Sequence, residues 1–193
     1  MKKFELTNEF VTNMFGTKLF RIRALVEFGD VEAGELGGYV EKESNLGHDD
    51  NAWVYDNARV YGNAWVYGDA QVSGDALVYG NARVYGNALV YDNAWVYGNA
   101  RVCGDARVCG NGDYAYAHGF GSVNRTTTFF RLKDGGVGVR CGCFYGTLAQ
   151  FRDKIRETHG ETKKAQEYLM LADLMELRFE EDENEVGNRK YVE

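Results

Sequence analysis

The sequence predicts a mainly β fold, a parallel β-helix with three-sided coils, flanked by an N-terminal β cap and a small C-terminal α+β module. Two observations support this prediction. A six-residue pattern of Asn or Asp, Ala, a variable residue, Val, usually Tyr, and Gly or Asp runs without interruption from Asn51 to Gly110, giving ten units. The segments on either side do not repeat. We therefore divide the chain into a cap at 1–50, a β-helix at 51–110, a module at 111–179 and an acidic tail at 180–193.

Each six-residue unit predicts one short strand followed by one corner. Ala and Val share a face because side chains alternate along a strand. The following Gly-Asn or Gly-Asp pair tolerates the positive φ of a tight corner. Three corners complete one coil of about 18 residues, so valines at that spacing should form three interior ladders. The ladders are Val54, Val72, Val90 and Val108, then Val60, Val78 and Val96, and then Val66, Val84 and Val102.

Two corners carry aspartate where the other corners carry glycine. These are Asp56 and Asp92, which are 36 residues, or two coils, apart. We expect them at the same corner, with Gly74 between them, and we expect both to adopt the left-handed backbone conformation.

The six-residue spacing resembles the hexapeptide repeat of left-handed parallel β-helices, and this resemblance implies the handedness. Many members of that superfamily are trimeric acyltransferases that use a histidine base and bind acyl-CoA between subunits. The ten units here contain no histidine, and no long loop interrupts them. Acyl transfer is therefore the least favoured function.

The flanking segments resemble a family of mostly uncharacterised bacterial and phage hexapeptide-repeat proteins. The shared segments are LFRIRALVEFGDVEAGELGGYVEKESNL before the repeats, and GSVNRTTTF, CGCFYG and ETHG after them. The resemblance implies the fold rather than an activity. The residues that match the last three segments are Ser122, Arg125, Cys141, Cys143 and His159.

Side chains before and after each valine should point outward and form three faces. The first face carries Trp53, Gln71, Leu89 and Arg107. The second carries Arg59, Leu77 and Trp95 beside Tyr61, Tyr79 and Tyr97. The third carries Trp65, Arg83 and Arg101 beside Tyr67, Tyr85 and Cys103.

These aromatic faces have two interpretations. In the first, stacked tyrosines protect the sheets and one face is buried in a homo-oligomer, for which the second face with Leu77 and Trp95 is the best candidate. In the second, the aromatics of the third face stack on a nucleobase, and Arg83 or Arg101 binds a phosphate.

The sequence of the C-terminal module predicts two strands and two helices. The strands are 126–132 and 137–144, joined by the turn KDGG. Thr147 and Gln150 predict the capping box of a helix that ends near His159, and a second helix spans about 162–179. Cys141 and Cys143 should lie on one side of the second strand and pack in the core.

The segment HGFGSVNRTTT at 118–128 suggests an anion site. Its glycines permit a backbone concavity, Arg125 adds a charged fork, and the N-terminus of the following helix favours negative charge. We therefore expect ligand contacts from Ser122, Arg125, Thr127, Arg140, Tyr145 and His159, together with Trp65, Arg83 and Arg101 of the third face. We expect no cofactor and no metal site, because zinc would need ligands besides Cys141 and Cys143, and the only histidines are His48, His118 and His159.

Two functions fit these features. The first is a non-enzymatic homo-oligomer, with a trimer favoured, that binds a small phosphate-bearing ligand such as a nucleotide; its most specific form is a phage protein that sequesters a host nucleotide immune signal. The alternative is a purely structural spacer or assembly module. An enzyme would need His118 or His159 beside Cys143 or Ser122 as base and nucleophile.

Composition narrows the partners and the compartment. The formal net charge is −7, and no broad basic stretch occurs, so duplex nucleic acid is not expected. Apolar runs are too short to span a bilayer, and MKKFELTNEF lacks the apolar core of a signal peptide. The spacing of the four cysteines does not suggest disulfides, which favours the cytoplasm, or the host cytoplasm for a phage protein.

Overall fold

The central part of the chain is a β-solenoid, seen in a computed structural model that describes residues 2–121 and 125–180. Three longer strands precede it: β1 (Phe4–Thr12), β2 (Lys18–Ala24) and β3 (Leu36–Val40), with a 3-10 turn at Glu43–Asn45. The solenoid strands are β4 (Trp53–Val54), β5 (Arg59–Val60), β6 (Trp65–Val66), β7 (Gln71–Val72), β8 (Leu77–Val78), β9 (Arg83–Val84), β10 (Leu89–Val90), β11 (Trp95–Val96), β12 (Arg101–Val102) and β13 (Arg107–Val108).

Every third solenoid strand pairs in parallel, as the six-residue period predicts. The sheets have the orders β4-β7-β10-β13, β6-β9-β12 and, within a larger sheet, β5-β8-β11. Valine pairs with valine in each register, for example Val60 with Val78 and Val84 with Val102. The alanines and valines of the repeat are at most 1% exposed. The three interior ladders are therefore confirmed.

The corners use the left-handed backbone region. Asp56 and Asp92 have φ of 52° and 55°, which confirms the prediction for both residues. Asp56 Oδ2 accepts a hydrogen bond of 3.1 Å from the backbone N of Gly74 in the next coil. A Cβ atom on Gly74 would lie 2.9 Å from the backbone N of Asp92, so glycine is required at the middle of this column.

The segment before the repeats pairs with the solenoid. Strands β1 and β2 form an antiparallel pair, β2 pairs with β3, and β3 pairs in parallel with β5. Val40 thereby lies beside Val60, and Leu46 forms a parallel bridge to Val66. A Cβ atom on Gly37 would lie 2.5 Å from the carbonyl oxygen of Val54, so the chain approaches the first coil closely here because glycine has no side chain.

Trp53 is buried, contrary to the prediction that it points into solvent. Its exposed fraction is 0%, because the rings of Phe4 and Phe28 pack edge-on against it at 6.2 Å and 5.3 Å. Lys3 is buried beside them, and its Nζ donates to the carbonyl oxygen of Ala52 at 2.8 Å. The six-residue pattern does orient Trp53 away from the interior, but the non-repeating N-terminal segment covers it.

The C-terminal module is an antiparallel sheet with two helices. The strands β14 (Tyr114–Phe120), β15 (Arg125–Arg131), β16 (Val137–Cys141) and β17 (Phe144–Thr147) pair in that order, and the helices are α1 (Leu148–His159) and α2 (Lys163–Phe179). Thr147 caps α1 with the predicted capping box to Gln150. The module joins the solenoid where the backbone N of Arg101 donates to Thr128 Oγ1 at 2.9 Å.

The prediction of one strand over 137–144 is wrong. The chain turns at Gly142, which has a φ of +59°, and β16 and β17 form a hairpin around it. Cys143 is consequently exposed and Cys141 is half-buried, so the two cysteines do not share a core face. Of the predicted acidic tail, residues 181–193 lie outside the described residues. Neither described helix is long and apolar enough to cross a membrane.

Candidate functional site

A cleft of about 640 Å³ lies between the third face of the solenoid and the C-terminal module. We call it the arginine cleft, because three guanidinium-bearing side chains reach it from different parts of the chain. It is lined by Asn81, Arg83, Asn99, Arg101, His118, Arg125, Thr126 and Gly142. Three of the predicted ligand residues, Arg83, Arg101 and Arg125, are thus brought to one place.

The solenoid supplies one wall of the arginine cleft. Arg83 and Arg101 are direct neighbours in the parallel pair β9–β12 and therefore stand about 4.8 Å apart along the face. At the adjoining corner Asn81 Nδ2 donates to Asn99 Oδ1 at 3.2 Å. The 18-residue coil thus aligns two arginines beside two asparagines.

The C-terminal module supplies the opposite wall. His118 and Thr126 are paired across β14 and β15, and His118 Nδ1 lies 2.9 Å from Thr126 Oγ1. Arg125 begins β15, and its guanidinium passes directly over Gly142. A Cβ atom at Gly142 would collide with Arg125 Nη1, so the glycine leaves the space in which the guanidinium lies.

The charge of the arginine cleft is not neutralised by the described part of the chain. Among its lining residues none is aspartate or glutamate. Within residues 2–121 and 125–180 no salt bridge involves Arg83, Arg101 or Arg125, whereas Arg131 and Arg152 are both paired with carboxylates. Three unpaired guanidinium groups around one solvent-filled space favour a small anion.

The aromatic residues of the third face lie beside the arginine cleft rather than in it. Trp65 is the neighbour of Arg83 in β6–β9 and is 39% exposed. Its ring stacks on Tyr67 at 4.0 Å, and Tyr67 stacks on Tyr85 at 4.8 Å. Burial raises the pKa of Tyr67, and the nearby charge of Arg83 opposes that shift. The neutral ring surface therefore runs directly alongside the arginine column.

Three predicted ligand residues have structural contacts instead. Thr127 is 1% exposed and its hydroxyl donates to Cys141 Sγ at 3.2 Å. Arg140 Nη1 donates to the carbonyl oxygen of Cys143 at 3.3 Å, which holds the β16–β17 turn. The Tyr145 hydroxyl lies against Gly104, at the joint between module and solenoid.

Arg140 and Tyr145 are not among the residues that line a cavity with Arg125 and His159. Arg125 and His159 do meet, in a second cavity of about 230 Å³ that we call the C-terminal pocket. Helix α1 lines this pocket with Phe151 and with residues of its C-terminal half. The lining residues are Arg125, Cys141, Cys143, Phe144, Phe151, Lys154, Ile155, Thr158, His159 and Tyr168.

One predicted ligand residue lies outside the described residues, and four residues that line the arginine cleft were not predicted. Ser122 was a predicted ligand residue and lies outside the described residues. His118, Thr126, Asn81 and Asn99 line the arginine cleft but were not among the predicted ligand residues. The repeat period could have identified the asparagines as neighbours of Arg83 and Arg101, whereas His118 and Thr126 required the β14–β15 register.

The described residues contain no group of three or more His, Cys, Asp and Glu side chains that could hold a metal ion. No disulfide joins the four cysteines, all of which lie in the described part of the chain. Within residues 2–121 and 125–180, neither His118 nor His159 is hydrogen-bonded to a cysteine, although His159 and Cys143 both line the C-terminal pocket.

Comparison with known proteins supports the repeat architecture. The family model of the YdcK beta solenoid repeat matches residues 52–68, 70–84 and 82–98. No curated protein matches the chain. The chain is a β-solenoid repeat protein. The match lies within residues 52–98 and does not reach the C-terminal module that forms one wall of the arginine cleft.

Proposed function

We propose that this chain is a non-enzymatic, homo-oligomeric binding protein that holds a small phosphate-bearing ligand, such as a nucleotide, in the arginine cleft. The observation that supports this proposal is the convergence of Arg83, Arg101 and Arg125 on one cleft of about 640 Å³. Because their lining neighbours include no carboxylate among the described residues, the cleft attracts negative charge.

The side chains of the arginine cleft suit phosphate oxygens. Guanidinium groups present parallel N–H donors that match phosphate in a bidentate manner. Thr126 and His118 add a hydroxyl and an imidazole at hydrogen-bonding distance from each other, and Asn81 and Asn99 add amides. This set of groups binds an anion through several charge-assisted hydrogen bonds without a nucleophile.

Self-association belongs to the same proposal. On the second face Trp95 is 43% exposed and Tyr97 is 42% exposed, and burial of these rings against another copy would remove apolar surface from water. The resemblance to hexapeptide-repeat proteins favours a trimer, a left-handed coil and a capping role for residues 1–50. Sequestration of a host nucleotide signal by a phage protein is the most specific form of the proposal and rests on analogy.

Substitution of Arg101 by alanine tests the proposal. Isothermal titration of the full chain with pyrophosphate and a panel of cyclic and linear nucleotides should give saturable binding for the wild type. The Arg101→Ala variant should bind about 10- to 100-fold more weakly, because a charge-assisted hydrogen bond is lost.

Arg59→Ala is the matched control. Arg59 occupies the same position of the repeat on the second face, and it does not line the arginine cleft. Its substitution should leave the affinity unchanged. If no anion binds the wild type, the proposal fails and the structural alternative, a spacer or assembly module, takes its place.

A further inference from the structure

We infer that the C-terminal pocket receives an aromatic ring of the same ligand whose phosphate lies in the arginine cleft. This inference rests on the proposed function and extends it. The ligand is then a nucleotide or another phosphorylated aromatic molecule, held in two adjoining cavities.

The walls of the C-terminal pocket are apolar. Phe151, Ile155 and Tyr168 are only 3–4% exposed, and Phe144 packs against Phe151 with ring centroids 5.4 Å apart. His159 lies nearly parallel to the Tyr168 ring at 5.9 Å and 24°. Flat side chains therefore surround a space of about 230 Å³, which is smaller than an ordinary whole-ligand site and suits one ring system.

The rim of the C-terminal pocket is basic. Arg125, Lys154 and His159 line it, and none of the described lining residues is acidic. Lys154 also forms an exposed pair of 2.8 Å with Glu157, which partly offsets its charge. An apolar floor with basic groups at the mouth fits a molecule in which a ring is attached to an anionic group.

Arg125 joins the two cavities. It lines both the arginine cleft and the C-terminal pocket. Gly142 borders the cleft, while its neighbours Cys141 and Cys143 border the pocket, so the β16–β17 turn is the ridge between the two spaces. A ligand that spans the ridge has its phosphate within reach of Arg125 and its ring on the α1 side.

The polar groups inside the pocket are already engaged. Cys141 Sγ accepts from the Thr127 hydroxyl at 3.2 Å, and the Tyr168 hydroxyl donates to the carbonyl oxygen of Phe120 at 3.5 Å. The ring is therefore recognised by shape and stacking more than by hydrogen bonds to its edges. Thr158 and His159 lie at the rim.

The test compares 5′-AMP with ribose 5-phosphate, which carries the same phosphate without a ring. With the full chain, AMP should bind about tenfold or more tightly, because the ring buries apolar surface. Thr158→Trp, at an exposed position on the pocket rim, should fill the mouth of the pocket. It should reduce AMP affinity to that of ribose 5-phosphate and leave ribose 5-phosphate binding unchanged.

Ala149→Trp controls for a bulky residue on the same helix, since Ala149 is exposed and does not line the pocket. It should leave both affinities unchanged. Equal binding of AMP and ribose 5-phosphate to the wild type overturns the inference. The inference also fails if Trp65→Ala loses the preference for AMP while Thr158→Trp keeps it. If ribose 5-phosphate still binds in either of these outcomes, the proposed function stands without the inference. If neither AMP nor ribose 5-phosphate binds the wild type, both the proposed function and the inference are refuted.

Discussion

Gly142 links the backbone of a tight turn to the orientation of a ligand residue. The positive φ of +59° closes the β16–β17 hairpin, and the missing side chain leaves room for the Arg125 guanidinium. The segment Cys-Gly-Cys fits the alternating pattern of a strand. That interpretation predicts neither the turn at Gly142 nor the space for the Arg125 guanidinium. The same residue therefore determines where the chain turns and where a positive charge lies.

Gly142→Ala should weaken anion binding about tenfold, because the new methyl group displaces Arg125 from the cleft. The measurement is isothermal titration with pyrophosphate. Gly135→Ala is the matched control, since Gly135 has a similar positive φ of 84° but nothing within 4 Å of an added Cβ atom. Both variants should lose about 1 kcal/mol of stability from backbone strain. An unchanged affinity in Gly142→Ala would show that pyrophosphate binding does not require Arg125 at its position over Gly142.

Trp53 gives a second prediction at this scale. Trp53→Ala should reduce the free energy of unfolding by about 3–5 kcal/mol, because it leaves a cavity between Phe4 and Phe28. Trp65→Ala, at the same repeat position but 39% exposed, should cost only about 1 kcal/mol. Urea denaturation followed by circular dichroism measures both values. Equal losses in the two variants would contradict the burial of Trp53 by the N-terminal segment.

At the scale of the element, the tyrosine columns are continuous structures rather than separate residues. On the second face the rings of Tyr61, Tyr79 and Tyr97 stack at 5.1 Å and 5.4 Å, one ring per coil. On the third face Tyr67 and Tyr85 stack in the same way. Each ring covers the face of the ring in the next coil and is thereby partly desolvated.

This desolvation predicts a loss of stability at alkaline pH. Burial is the main cause that raises the pKa above the ordinary 10.0 in Tyr61, Tyr67, Tyr79 and Tyr85. As the pH rises, tyrosines of the unfolded chain lose their protons before those of the folded protein. Their contribution to the free energy of unfolding is therefore fully present below about pH 10 and is lost as the pH rises further. Burial lowers the pKa of Lys3 to about 8. This one lysine therefore acts in the opposite direction and raises the free energy of unfolding between about pH 8 and 10.5.

The urea midpoint should therefore be lower at about pH 11 than at about pH 9. Ultraviolet absorbance should show that tyrosines of the folded protein ionise at higher pH than those of the protein in urea. Coincident titration of folded and unfolded protein near pH 10 would argue against desolvated tyrosine columns.

At the scale of the whole molecule, the repeats could be predicted from the sequence because each contact links residues a fixed distance apart. The valine ladders and the left-handed Asp56 and Asp92 follow from that period alone. The burial of Trp53 could not be predicted, because it depends on how a non-repeating segment folds over the first coil. Arg83 and Arg101 were predictable as neighbours on one face.

The remaining part of the site depends on docking of the C-terminal module. Arg125 and His118 face the solenoid only because β15 lies against β12, with the Arg101 backbone bonded to Thr128. No periodicity connects these segments. The same docking places the Tyr145 hydroxyl against Gly104 of the solenoid, whereas Arg125 and His159 line the C-terminal pocket.

The most direct test of the arginine cleft is nuclear magnetic resonance of the arginine side chains during titration with pyrophosphate. The Nε–Hε signals of Arg83, Arg101 and Arg125 should shift together and saturate, because all three line the same space. The signal of Arg152, which is paired with Asp173 and Glu176, should not move. Joint saturation of the three signals would support anion binding between the solenoid and the C-terminal module. Signals that stay fixed, or that drift without saturation, would contradict it.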